Sequence, residues 1–319
     1  MGARTGASES LGDRKNQMSD SDAKLFVLHG YSPEGDTWLS FREPNETQIA
    51  VLCKSLVEDR YDKPFLVENR KTRSLCFGID GAVQSEMWLD DPETLVSAYT
   101  RKMMGFLLFR RRPREVLMIG LGGGSLAKFC HRHLPSARMT VIEIDTGVIA
   151  LRSHFQIPPD DSRLRVINGD GSAYVAAMAQ SNQRTDVLLV DAFDRQGIAT
   201  AVTERAFLQD ARRVLSRRGI LVMNLVASPA ECKRYIDSIR SVFGGPVIAV
   251  KVDDGSNVVV FAGRPLLNRR RLVAATHNAR HIEGRLGLSF PTLLQLTREL
   301  QYQLLLRGDT VEGSPCPRT

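Results

Sequence analysis

The chain has 319 residues, of which 43% are hydrophobic and 25% are charged, as is usual for a globular enzyme. No apolar run approaches the roughly 20 residues that a membrane-spanning helix needs, and no apolar signal segment is found at the start, so we expect a cytoplasmic protein without a membrane partner. The net charge of +7 collects around residues 101–114 and 264–285 without aromatic interleaving, which disfavours a nucleic-acid partner.

The first third of the chain predicts a tail and a small β unit. Residues 1–24 contain few large apolar side chains, so we expect them to be disordered. Residues 25–91 hold short β-like runs separated by Gly and Asp-Gly turns, which indicate an antiparallel unit of hairpins. These runs are KLFVLHGY, TQIAVLC, PFLVEN, SLCFGIDG and AVQSEMWL. A helix is expected from Pro92 to about Phe109.

Residues 92–263 alternate between apolar strands and helical stretches. The strands EVLMIG, MTVIEID, LRVINGD, DVLLVD and GILVMNLV are typical of a parallel sheet that is covered on both faces. One intervening helix is expected to run from about Thr203 to Leu215. The last two strands, PVIAVKV and NVVVFAG, predict an antiparallel edge hairpin. Residues 264–319 predict a helical extension and tail, with a helix that packs back on this domain.

A glycine-rich loop follows the first of these strands. Gly120, Gly122 and Gly124 precede a helix, a pattern that lets the backbone approach a ligand at the free amides of a helix N-terminus. Glu143 ends the second strand, where a carboxylate can accept both hydroxyls of a ribose. Asp145, two residues later, fits the N-cap of the next helix better than it fits a contact with the ribose. The sequence therefore predicts a nucleoside site at the carboxyl edge of the sheet.

The third strand ends in Gly-Asp-Gly. Asp170 can accept a hydrogen bond from an adenine amino group, and Gly171 leaves room for the ring. The alternative is that Asp170 only caps the following helix. A phosphate-binding dinucleotide site is disfavoured, because the Gly-Asp-Gly element is typical of the methyltransferase-like arrangement. The fold class expected is α/β, a class I methyltransferase-like Rossmann fold with a seven-stranded, mostly parallel sheet.

From about Phe65 to Gly263 the chain resembles the spermidine synthase (polyamine aminopropyltransferase) family, and in particular its shorter, divergent bacterial members. The resemblance rests on GLGGGS, VIEID, the Gly-Asp-Gly element and the loop Asp191-Ala192-Phe193-Asp194, in the family's order and spacing. The Asp80-Gly81 turn and Gln84 match the stretch in which the family's glutamine encloses a sulfonium ligand. Tyr99 matches the family's helix tyrosine and implies a contact with the substrate.

The resemblance implies aminopropyl transfer from decarboxylated S-adenosylmethionine to putrescine or another amine, with release of methylthioadenosine. An amine is protonated at pH 7, so a carboxylate must bind it and accept its proton as attack begins. Asp191 is the predicted base, and Asp194 is predicted to hold an ammonium group. Structural roles at a strand end and in a loop are the alternatives for these two residues. The family also implies a homodimer.

Several positions depart from the family pattern. Gly123 replaces the loop aspartate, Thr100 and Arg101 replace two polar helix residues, and Asp253-Asp254-Gly255-Ser256 replaces a tyrosine-bearing loop. Two other functions therefore stay open: an S-adenosylmethionine-dependent methyltransferase and a nucleoside-binding protein without catalysis. No tightly bound cofactor or metal is expected, since the five cysteines are widely spaced and form no CxxC pair.

Overall fold

The computed structural model describes residues 23–32, 35–58, 60–78, 83–194, 197–252 and 257–306. The predicted tail, residues 1–24, lies almost wholly outside these ranges. Two main sheets organise the described residues, an N-terminal sheet of five strands and a central sheet of seven. A short two-stranded ribbon follows one of the central strands.

The N-terminal sheet is antiparallel throughout, and its strands lie in chain order. Its strands are β1 (Ala23–Ser32), β2 (Gly35–Pro44), β3 (Phe65–Glu68), β4 (Thr72–Cys76) and β5 (Ser85–Trp88). The predicted hairpin unit is therefore present, but the run TQIAVLC is not one of its strands. It lies in helix α1 (Ile49–Val57), where Leu52 and Leu56 are buried four residues apart, which is the spacing of one helix face.

The segment after β5 forms a shorter helix than expected. Helix α2 (Ala98–Met103) begins six residues after Pro92 and continues as a 3-10 helix over Met104–Leu108. The intervening residues are held in other ways: the backbone amide of Thr94 donates to the carbonyl of Asp91, and the carbonyls of Leu95 and Val96 accept from a guanidinium group. The prediction of a helix from Pro92 was therefore wrong in its start.

The central sheet has the order β13-β14-β12-β9-β6-β7-β8. Only β14 runs opposite to the other six strands, so the sheet is mostly parallel, with the predicted hairpin of β13 and β14 at one edge. The strands are β6 (Glu115–Ile119), β7 (Arg138–Glu143), β8 (Leu164–Asn168), β9 (Thr185–Val190), β12 (Leu215–Val226), β13 (Val247–Lys251) and β14 (Asn257–Ala262). All six residues of β9 are buried, as expected for a central strand covered on both faces.

The helices of this domain connect successive strands. They are α3 (Ser125–His133), α4 (Thr146–Ala150), α5 (Gly171–Gln180), α6 (Thr200–Thr203), α7 (Arg205–Val214) and α8 (Pro229–Phe243). The ribbon of β10 (Phe193–Asp194) and β11 (Gly197–Ile198) follows β9. The helix predicted from about Thr203 to Leu215 is present as α7, and the extended backbone of Glu204, with a ψ of 148°, separates it from the short α6.

The C-terminal residues form two helices. A 3-10 turn (Arg264–Leu267) leads into α9 (Arg269–Leu286), and α10 (Pro291–Leu306) follows. Leu288, Leu293 and Leu300 are buried in the same core cluster as the central sheet, which confirms that this region packs back on the domain. No helix of the described residues is long and apolar enough to cross a membrane.

Candidate active site

The loop between β6 and α3 lines the carboxyl edge of the central sheet. Gly120, Gly122 and Gly124 have φ angles of +90°, +53° and +69°, in the left-handed region that favours glycine. A Cβ atom on Gly120 would lie 2.1 Å from the carbonyl oxygen of Asp191, so a larger residue does not fit there. The predicted nucleoside loop and the predicted base therefore lie next to each other.

Glu143 ends β7 and is only 7% exposed. Its Oε2 accepts a hydrogen bond from the backbone amide of Leu121 (2.7 Å), and its Oε1 accepts one from the amide of Asp145 (2.8 Å). Burial raises the pKa of this carboxyl, and the two backbone hydrogen bonds counteract that effect. The side chain is thus fixed between two loops, and each oxygen keeps a lone pair that can accept from a ligand hydroxyl.

Asp170 is the N-cap of α5. Its Oδ1 accepts from the backbone amides of Ser172 (2.7 Å) and Ala173 (3.1 Å), and hydrogen bonding, first to Ala173, lowers the pKa of the carboxyl. The capping alternative from the sequence is therefore realised, and a contact with adenine stays a prediction. A Cβ atom on Gly171 would lie 2.2 Å from Cγ2 of Ile119, so this glycine lets α5 approach the sheet closely.

Asp191 follows β9 and is held by two side chains from other elements. The Tyr99 hydroxyl donates to Oδ2 (3.2 Å), and Nδ2 of Asn224 donates to Oδ1 (3.0 Å). Nδ2 of Asn257 in turn donates to Oδ1 of Asn224 (3.0 Å). Burial raises the pKa of Asp191 to about 6, although both hydrogen bonds oppose the shift. This carboxyl is ionised at pH 7 but is a stronger base than an ordinary aspartate.

A cavity of about 240 Å³ connects these groups. Four carboxylates line it, and the described lining residues include no Lys, Arg or His; these acids are Asp62, Glu143, Asp145 and Asp191. Apolar side chains such as Met118, Leu126 and Val148 line the rest. A cavity that combines an apolar wall with several acids suits a nucleoside that carries a positive charge, together with a cationic second substrate.

Half of the predicted site residues line this cavity: Gln84, Tyr99, Gly122, Glu143 and Asp191. Gly120, Gly124, Asp170 and Gly171 shape the surrounding backbone and are not among its lining residues. Asp194 lies in β10, and its side chain is outside the described part of the structure. The Asp80-Gly81 turn and residues 253–256 are outside the described residues as well.

Two departures from the family pattern have a local explanation. Arg101 is exposed and its guanidinium donates to the carbonyls of Leu95 and Val96, so it does not line the cavity, whereas Thr100 does. At Gly123 a Cβ atom would lie 2.7 Å from Oγ of Ser85 and 2.9 Å from Cδ1 of Phe155. Any side chain at this position would therefore require its neighbours to move.

The sequence analysis missed three residues of the site. Asp62 follows α1 and lines the cavity. Asn224 is 1% exposed and is a polar residue inside the apolar run of β12, a signal that could have been noticed. Asn257 begins β14 and reaches Asp191 only through Asn224. Its role follows from strand pairing, which the sequence alone does not specify.

Comparison with known proteins agrees with this geometry. The family model described as Spermine/spermidine synthase domain matches residues 96–253. A polyamine aminopropyltransferase of Chromobacterium violaceum is 37% identical over 237 residues, which cover 74% of this chain and 89% of that protein. The eEF1A lysine and N-terminal methyltransferase of Xenopus laevis is 32% identical over 165 residues, which cover 49% of this chain but 23% of that protein.

A solved structure shows the same fold. It is that of a probable spermidine synthase from Corynebacterium glutamicum, with a TM-score of 0.54 and 17% sequence identity, and it covers 92% of this chain and 99% of that one. The strand order and the cavity at the carboxyl edge define a class I methyltransferase-like Rossmann protein with an N-terminal antiparallel sheet. The match with the Chromobacterium protein, which covers most of both chains, narrows the identification from this fold class to one family. The chain belongs to the spermidine synthase (polyamine aminopropyltransferase) family, whose members are transferases.

Proposed function

We propose that this protein transfers an aminopropyl group from decarboxylated S-adenosylmethionine to putrescine or another polyamine and releases methylthioadenosine. The observation that carries the proposal is the Asp191 carboxylate, which is held by Tyr99 and Asn224 next to the glycine-rich loop in an acid-lined cavity. A partly buried base with a raised pKa is suited to proton removal from an ammonium group. The relatives named polyamine aminopropyltransferase support the same reaction.

The nucleoside half of the site binds the sulfonium substrate. Glu143 accepts the ribose hydroxyls. Two backbone amides hold its carboxylate at the cavity, and each oxygen keeps a lone pair for a ligand hydroxyl. Gly120, Gly122 and Gly124 keep the loop free of side chains, so the ligand can approach the backbone. Asp170 and Gly171 border the adenine, and Gln84 covers the ligand from the N-terminal unit. No tightly bound cofactor takes part.

The amine half of the site acts in the transfer itself. The acceptor enters as an ammonium ion, gives a proton to Asp191, and its nitrogen lone pair attacks the carbon next to the sulfonium. The carbon–sulfur bond breaks, and the electron pair stays on sulfur in methylthioadenosine. Asp194 holds the second ammonium group of a diamine. The cavity acids attract this polycation, and burial strengthens that attraction.

Product analysis tests the proposal directly. We expect the purified protein to form methylthioadenosine from decarboxylated S-adenosylmethionine only when putrescine or another polyamine is present, as measured by liquid chromatography and mass spectrometry. Calorimetry should show tighter binding of the decarboxylated form than of S-adenosylmethionine. Formation of S-adenosylhomocysteine from the intact compound would instead identify a methyltransferase. Binding of methylthioadenosine without turnover of either compound would identify a nucleoside-binding protein without catalysis.

The pH profile is expected to report the ionisation of Asp191. Because the reaction needs the carboxylate form, kcat should fall as the pH decreases through about 6, the pKa of Asp191. The polyamine does not titrate in this range, since amine pKa values lie near 10. In Asn224→Ala the inflection should move to higher pH, because the Asn224 hydrogen bond lowers the pKa of Asp191. An unchanged inflection in the variant would contradict this role of Asn224.

The assembly and the location are proposed on family grounds. We infer a cytoplasmic homodimer that uses its N-terminal unit for association. The exposed apolar residues Leu25 and Val27 on β1 support this inference, since β1 is an edge strand of its sheet. Sedimentation equilibrium should give twice the chain mass of 35.5 kDa, and a monomer at micromolar concentration would contradict the proposal.

A further inference from the structure

A second concave surface lies at the opposite edge of the central sheet. It is a groove of about 710 Å³ formed by α7, the starts of β9 and β12, the end of α8 and the turn after β14. This arginine groove is lined by six arginines and, among its described lining residues, by no carboxylate. They are Arg184, Arg205, Arg212, Arg213, Arg217 and Arg264. The sequence does not show that these six arginines lie together, because they come from four separate segments.

The positive charge of the groove is largely uncompensated. Arg213 pairs with Asp210 (2.9 Å), and it is the only one of the six with a carboxylate partner among the described residues. Arg212 donates to the carbonyl of Val242 and Arg205 to the hydroxyl of Ser241, but these neutral acceptors leave the charge in place. All six side chains are exposed, so they can turn toward a ligand.

Further arginines lie beside the groove, together with Asp186, which accepts from the hydroxyl of the lining residue Ser216 (2.9 Å). Arg271, in the first turn of the nearby α9, has a lowered pKa, first because of burial and then because of repulsion from Arg218, Arg110 and Arg217. Like charges at short range are unfavourable, and a bound anion would relieve that repulsion. Arg110 differs from the others, since it pairs with Asp186 at 2.7 Å.

The shape and lining of the groove favour a small ligand with several phosphate groups. A guanidinium group binds phosphate oxygens with two parallel hydrogen bonds. Six arginines offer more such donors than one phosphate group can accept. The volume lies within the roughly 300–1,000 Å³ of small-molecule pockets. The only aromatic residue among the described lining is Phe243, which is 9% exposed and offers no face for stacking a nucleic-acid base.

We propose that the arginine groove binds a soluble oligophosphate, such as a linear polyphosphate or the triphosphate of a nucleotide. The site is distinct from the candidate active site, because that cavity lies at the carboxyl edge and its four acids repel phosphate. The groove requires no step of aminopropyl transfer and does not depend on that reaction. The proposal adds an anion site to a protein whose proposed substrates are cations.

Calorimetry with sodium tripolyphosphate tests the proposal on the full-length protein. We expect one molecule per chain to bind in 50 mM NaCl, and 300 mM NaCl should weaken the affinity because salt screens exposed charges. In the double variant Arg217→Gln/Arg264→Gln the affinity should fall by about tenfold or more, since two charged donors are removed. Methylthioadenosine binding should be unchanged in this variant, which also shows that it is folded.

The control is Arg165→Gln, which removes an exposed arginine from β8 at the far edge of the sheet. It should bind tripolyphosphate like the unmodified protein. Absence of binding to the unmodified protein in 50 mM NaCl, or an equal loss in the control, would overturn the proposal. Binding of a single-stranded RNA dodecamer without binding of tripolyphosphate would also overturn it, in favour of a nucleic-acid surface.

Discussion

Replacement of Asp191 by asparagine is expected to lower turnover by about 10²-fold or more while methylthioadenosine still binds. Asparagine keeps the size of the side chain and can still accept from Tyr99 or Asn224, but it cannot take a proton from an ammonium group. The loss should therefore appear in kcat, measured as methylthioadenosine release at saturating concentrations of both substrates. Calorimetry with methylthioadenosine measures the nucleoside affinity separately.

The matched control for this variant is Asp237→Asn, the same chemical change on the surface of α8. Asp237 pairs with Lys233 and Arg240 and is not among the residues that line the cavity, so its loss should leave kcat unchanged. Undiminished turnover in Asp191→Asn would remove this residue from the role of base. A parallel loss of nucleoside affinity would mean that the variant disturbs the glycine loop, which contacts the Asp191 backbone.

Replacement of Glu143 by alanine is expected to weaken methylthioadenosine binding by about 10²-fold. Hydrogen bonds to a charged group contribute about 1.5 to 3 kcal/mol each, and the two ribose hydroxyls both lose their acceptor. The variant also leaves the amides of Leu121 and Asp145 without their partner, so the glycine loop loses one of its anchors. Calorimetry with methylthioadenosine measures the affinity.

Thermal unfolding separates the two effects of this variant. An unsatisfied buried amide costs about 1 to 3 kcal/mol, so the melting temperature of Glu143→Ala should fall although the protein still folds. A suitable comparison is Glu115→Ala, which removes an exposed carboxylate that pairs with Arg138 at the other end of β6. That variant should retain full affinity. Equal affinity in Glu143→Ala and the unmodified protein would show that another group reads the ribose.

The central sheet could be predicted because its strands are buried on both faces and therefore appear as continuous apolar runs. The wrong predictions concern segments whose structure depends on local contacts and not on this burial pattern. The run TQIAVLC has the composition of a strand, but it belongs to a helix whose buried face, with Leu52 and Leu56, packs against Phe41 and Phe65. The short helix α6 was also not predicted; the extended backbone of Glu204 separates it from α7, and the sequence carries no Pro or Gly signal there.

The candidate site also contains some residues that the sequence predicts and others that it does not. Glu143 and Asp191 were predictable because each ends a strand of a parallel sheet, and such ends meet at one edge. Asn224, Asn257 and Asp62 were not found, since their positions depend on which strands are neighbours and on how the N-terminal unit lies against the sheet. Asp170 satisfied both interpretations at the sequence level, and its capping hydrogen bonds became visible only in three dimensions.

The reversal of β14 has a consequence for how the chemistry of this protein can be adjusted. Because that strand runs opposite to its neighbours, its first residue, Asn257, sits at the edge where the other strands end. Asn257 does not line the cavity, yet it contacts Asn224, whose hydrogen bond lowers the pKa of Asp191. A substitution at Asn257 can therefore change the pH range in which Asp191 is ionised while the residues that line the cavity stay the same.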